Sequence, residues 1–179
     1  MLIKMKNNNK GFTIVETLIV LAIAGLIILI VLLAVPALQR NARNTDIKSD
    51  VSAIAGGITE FESNNDGSLP TTTSLTGSTL ALSGGTGTAP TNAQIQGGDV
   101  IDGGATTIFT SIPATMTAKA GSIDIVSGSS CPNGGAAGVS STRAFSLYYW
   151  IESPGATTTV GAVKGLTNGP GLEGECLDT

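Results

Sequence analysis

From Thr17 to Val35 the chain runs nineteen residues without a charge, about the length a helix needs to cross a hydrocarbon core of ~30 Å. Glu16 stands at the head of that run. A carboxylate in such a place costs on the order of 2.5–3.5 kcal/mol on insertion scales, so it marks a functional position. The alternative is a Glu16 that lies in the headgroup region. Lys4, Lys6 and Lys10 precede it in a short polar leader. A cleaved secretory signal has a short apolar core followed by a small-residue site, whereas the only plausible junction here lies before the run. A plain signal anchor fits the length but gives no reason for Glu16, or for Gly11 beside Phe12.

The residues Lys10-Gly11-Phe12-Thr13-Ile14-Val15-Glu16 resemble the class III leader junction of bacterial type IV prepilins and pseudopilins. Basic leader, Gly-Phe junction, glutamate at the fifth position after it, and uninterrupted apolar helix all coincide. The resemblance continues through the run into Pro36-Ala37-Leu38-Gln39. It implies that a membrane aspartyl peptidase, the prepilin peptidase, cuts between Gly11 and Phe12 and N-methylates Phe12. It further implies partners: copies of the chain in a helical filament, an assembly platform and minor pilins, with the bilayer as surroundings before assembly. The expected localisation is a single-pass cytoplasmic-membrane protein that becomes part of an extracellular pilus.

Composition narrows the rest. A chain of 179 residues allows one modest domain beyond the anchor. Without residues 1–11, Lys+Arg fall from 9 to 6 against 13 Asp+Glu, a balance of −7. An acidic exterior gives no drive toward phosphate, so direct nucleic-acid binding is not expected. Histidine is absent, which excludes a Ser-His-Asp or Cys-His set and removes the commonest metal ligand. No enzymatic activity, cofactor or metal site is expected. In a translocated domain Cys131 and Cys176 read as a disulfide, with two free buried thiols as the alternative. Closing that loop of about 46 residues would stabilise by roughly 3–4 kcal/mol. The resemblance to pilins, which often staple their C-terminal region, favours the bond.

The expected architecture is α+β and pilin-like: one long N-terminal helix, membrane-spanning in its first half and amphipathic in its second, packed on a small C-terminal antiparallel sheet. Residues 1–11 form the leader, 12–38 the transmembrane or filament-core half, 39–62 the amphipathic half, and 63–179 a variable loop plus sheet with a disulfide-closed end. Ile47, Val51, Ile54, Ile58 and Phe61 recur at spacings of four, three, four and three. That places them on one stripe, with Lys48, Asp50 and Glu60 facing elsewhere. Gly25 and Pro36 could soften the rod, since glycine lowers helix propensity and proline removes a backbone hydrogen bond. In the family the segment between the matching residues can lose its helix; a simple kink at Pro36 is the other reading. Ser63-Asn64-Asn65-Asp66-Gly67 should end the helix. The Thr/Ser/Gly-rich stretch from Leu69 to about Gly104 reads as a long surface loop with a short strand or helical turn. Strands are expected at 106–112, 122–127, 144–151 and 157–163. In the third, Phe145, Leu147, Tyr149 and Ile151 would pack on the helix while Tyr148 and Trp150 face solvent or a neighbour. The glycine-rich tail 165–179 would drift without Cys176.

The implied chemistry is assembly. Cleavage would free an α-amine on Phe12 with a pKa of about 8, cationic at neutral pH, able to meet the Glu16 carboxylate of a neighbouring subunit. The reading is a structural subunit of a type IV pilus, with a pseudopilin or minor pilin of a secretion or competence system as the alternative. Asp99/Asp102 and Glu173/Glu175 are acidic pairs on glycine-rich loops, read as solvated rather than catalytic.

Overall fold

The computed structural model of the protein describes residues 11–85, 90–95, 108–109, 116–117, 121–131, 140–154, 166–167 and 171–178. Asp99, Asp102, the expected strand 157–163 and all of the leader but Gly11 lie outside them. The fold is α+β: one long helix, α1 (Ile14–Asn64), is followed by short strands in sheets that are mostly antiparallel. By contacts the chain divides into two compact units, one up to Asn41 and one from Ala42 onward.

In the first unit every described residue from Gly11 to Gln39 is exposed. The helical stretch here is apolar on all sides and is the one candidate membrane span among the described residues. Pro36 sits inside α1 without ending it.

In the second unit α1 changes character. Ile47, Val51, Ile54, Ile58 and Phe61 are all buried, Ile54 and Ile58 completely. Asp50, expected to face away from that stripe, is also buried. The helix stops where the side chains that favour turns begin. Asp66 and Gly67 both take positive φ, 52° and 79°, and the Gly67 N–H donates back to the Glu62 carbonyl at 2.9 Å. The Asn65 side-chain amide donates to the Phe61 carbonyl at 2.8 Å, satisfying another of the helix's last acceptors.

The stretch after Leu69, expected to be mostly loop, contains a three-stranded antiparallel meander. Its strands β1 (Thr72–Thr76), β2 (Thr79–Ser83) and β3 (Thr91–Gln94) lie in that order. Gly77, φ 61°, takes the first place in the two-residue β1–β2 loop, where a tight hairpin needs a left-handed residue. Leu80, Leu82 and Ala93 fill one side and are buried. Three apolar residues among many threonines and serines are enough to seat the sheet, yet too few to stand out as a pattern.

The larger sheet has the order β4 (Ile108–Phe109), β6 (Ile123–Ser129), β7 (Ser140–Glu152), β9 (Leu172–Asp178). β4 joins β6 in parallel and the other pairs are antiparallel. A separate short parallel pair links β5 (Met116–Thr117) to β8 (Leu166–Thr167). The tail is therefore a paired strand: β9 runs along β7 from Glu152↔Leu172 to Ser146↔Asp178. One core cluster joins α1 residues Ile47 to Phe61 with Leu80, Leu82 and Ala93 of the meander and Ile123, Ile125, Phe145, Leu147 and Tyr149 of the larger sheet.

The opposite face of β7 departs from expectation. Ser146, Tyr148 and Trp150 are each 0% exposed, so the larger sheet is covered on both sides along this strand. Strict alternation of polar and apolar residues signals a half-solvated strand, but tyrosine and tryptophan carry enough apolar surface to be buried as core.

Candidate processing and assembly site

The Gly11-Phe12-Thr13 segment stands outside α1. Thr13 begins the helix: its hydroxyl oxygen accepts from the Glu16 N–H at 3.3 Å, and its carbonyl accepts from the Thr17 N–H at 3.3 Å. This is an N-cap, with Glu16 at the third helical position as in a capping box. The Thr17 hydroxyl donates to the Ile14 carbonyl at 2.8 Å. Glu16 is thus an acidic residue in the first turn, a position the helix dipole favours. Phe12 is 78% exposed and shares a shallow hollow with Glu16, Thr17, Val20 and Leu21. Carboxylate and aromatic ring lie together at the tip of an exposed apolar rod.

The other residues singled out in the sequence are not among those lining this hollow. Gly25 is inside the helix, and a Cβ there would meet nothing within 4 Å. Cys131 and Cys176 form a disulfide with Cα atoms 5.8 Å apart, joining the chain after β6 to β9. The Cys131 N–H also donates to the Asp178 carboxylate at 3.1 Å.

A set of polar ties between α1 and the larger sheet was not foreseen. Arg43 grips Glu152 through two bonds, Nε to Oε1 at 2.5 Å and Nη2 to Oε2 at 2.7 Å. Asn44 meets the same residue's backbone, its amide donating to the Glu152 carbonyl at 2.9 Å and its oxygen accepting from the Glu152 N–H at 2.8 Å. The hydrogen bond to Glu152 holds the Arg43 pKa above its ordinary value. One turn on, Lys48 lies 3.1 Å from Glu175, which also accepts from the Tyr149 hydroxyl at 2.6 Å. Burial first, then the bond to Glu175, pushes the Tyr149 hydroxyl far above the usual tyrosine range. Burial raises Tyr148 too, opposed by the nearby Ser146 and Ser129 hydroxyls. Neither serine reaches hydrogen-bonding geometry with the Tyr148 oxygen, so desolvation wins. Glu175 is therefore a structural partner rather than a solvated acid, while Glu173 is exposed. No periodicity in the sequence carries pairs more than a hundred residues apart. The Thr13 cap is absent from the sequence reading above, although Thr-x-x-Glu before an apolar run is a signal for it.

Residues 6–32 match the prokaryotic N-terminal methylation motif. No curated protein and no solved structure matches the chain. The motif covers the junction, the Thr13 cap, Glu16 and most of the exposed apolar helix just described. Residues 6–32 thus carry a motif of the kind found in the class III signal peptides of type IV pilins and pseudopilins.

Proposed function

We propose that the chain is a structural subunit of a type IV pilus, cut by prepilin peptidase between Gly11 and Phe12, N-methylated on Phe12, and polymerised through α1. One observation carries this reading most. An apolar surface from Phe12 to Leu38 lies bare and is headed by one carboxylate, while the second unit has a closed core of its own. Such a surface calls for lipid before assembly and for other copies of itself afterwards.

In that filament the cationic amine of one Phe12 meets Glu16 of the next subunit. A buried carboxylate left alone in low dielectric is costly, so the pair specifies register while the apolar faces supply most of the contact. The residues of the helix tip bind and orient; no bond is made or broken during assembly. Gly25 and Pro36 are the positions at which α1 would yield if the packed filament required it.

The test is Glu16→Ala expressed in the native host. Surface filaments should be lost while the second unit keeps its melting temperature and its disulfide. Normal filament yield from the variant sinks the assembly role of Glu16. Processed protein that remains in the envelope of wild-type cells would favour the pseudopilin or minor-pilin alternative.

A further inference from the structure

The boundary between the two units falls at Asn41/Ala42, in the middle of a helix whose backbone continues unbroken from Ile14 to Asn64. Unwinding that began in the apolar half, where Pro36 already removes one bond, would have no backbone reason to stop before the core residues at Ile47 and Val51. What does change at the boundary is side-chain chemistry. Arg43 and Asn44 are adjacent, and both engage Glu152 at the end of β7, 109 and 108 residues away in sequence.

The arrangement makes four hydrogen bonds to one residue, by two different means. Arg43 takes the carboxylate in a bidentate grip, the geometry in which a guanidinium gives most directional hold. Asn44 pairs with both backbone groups of Glu152. A backbone partner cannot swing away as a side chain does, so it fixes the height of Asn44 along the strand. For residues 43–44 to leave helical geometry, all four bonds must be given up together.

We propose that Arg43 and Asn44, clasped on Glu152, form a helix stop that sets the N-terminal border of the folded unit and confines any loss of helix to the apolar half. The device is a property of the single chain and does not depend on the filament reading. In a filament it would let the apolar half lengthen or repack while the exposed domain stays folded.

Hydrogen–deuterium exchange of the full-length protein in lipid nanodiscs tests it, read on peptides covering residues 37–50 and 51–64. The variant is Arg43→Ala/Asn44→Ala. Alanine is a better helix former than either residue it replaces, so intrinsic propensity alone predicts equal or slower exchange. The clasp predicts the reverse: amides of residues 42–47 exchanging about tenfold faster or more, with Ile54–Phe61 unchanged. Glu152→Gln, which leaves the Asn44–backbone pair in place, should give a smaller acceleration over the same residues. Unchanged or slower exchange at 42–47 overturns the proposal. So does acceleration that extends equally through Phe61, because the ties would then stabilise the whole unit rather than set its border. If the double variant does not fold, Glu152→Gln decides by the same two readings.

Discussion

The two halves of α1 are built from the same kinds of aliphatic residue and end in opposite situations. Leu26 and Ile30 are each more than half exposed, whereas Ile54 and Ile58 are at 0%. The second half has apolar residues on a stripe, and the chain supplies two sheets to cover it. The first half has them all round, and a single small domain cannot surround a rod. Periodicity, more than hydrophobicity, decides whether a helix finds its cover within its own chain or must find it elsewhere.

The sharpest way to break that comparison is one truncation in each half. Phe61→Ala removes a ring that is 1% exposed and should lower the stability of the folded unit by about 3–5 kcal/mol. Leu26→Ala, in the bare half, should leave that unit's thermal midpoint unchanged. Equal losses in the two variants would mean that the halves are not independent.

Alkaline pH probes the covered half through both faces of β7. The hydroxyls of Tyr148 and Tyr149, the chain's two tyrosines, are both raised by burial. A raised folded-state pKa means that the unfolded chain loses these protons first. Their contribution is therefore complete below pH ~10 and falls as pH rises above it, by at most about 1.4 kcal/mol per pH unit for each tyrosine until its own folded-state pKa is reached. Absorbance of tyrosinate should appear together with loss of Trp150 fluorescence as one unfolding transition. A simple titration near pH 10 in the folded protein would show that the β7 faces are wet.

The smallest effect lies within α1 itself. A Cβ on Gly56 would meet nothing within 4 Å, while one on Gly57 would lie 3.0 Å from Ala93 Cβ and 3.3 Å from Leu82 Cδ1. Gly56→Ala should stabilise by up to about 1 kcal/mol through helix propensity. Gly57→Leu should destabilise by roughly 1–3 kcal/mol, since the meander closes directly on that turn. Chemical denaturation of both variants distinguishes the faces. Stabilisation by Gly57→Leu would contradict the packing of β2 and β3 against the helix.

Helix, stripe and turn were legible because their signals are local and repeated: a charge-free run, a four-three spacing, a cluster of Asn, Asp and Gly. The helix starts at Ile14 and ends at Asn64, two residues from each expected end. The meander was not legible, because Leu80, Leu82 and Ala93 give three apolar points in a background of hydroxyls. β7 is legible from its alternation but the burial of its second face is not, because Tyr148 and Trp150 occupy the places that polar residues take in a half-solvated strand. The tail strand β9 has little apolar content, and its place depends on its pairing with β7 and on Cys176. Of the site, the Gly11-Phe12 junction and Glu16 stand out in sequence because their types conflict with their surroundings. The Arg43–Asn44–Glu152 clasp does not, since it exists only once the strand has been folded back.

The most direct test of the account is the mass of the N-terminal peptide in fibres sheared from intact cells. A peptide beginning at Phe12, heavier by one methyl group, is expected from an abundant sheared protein. A peptide that still spans Gly11–Phe12 uncut would contradict it and leave a plain membrane-anchored domain.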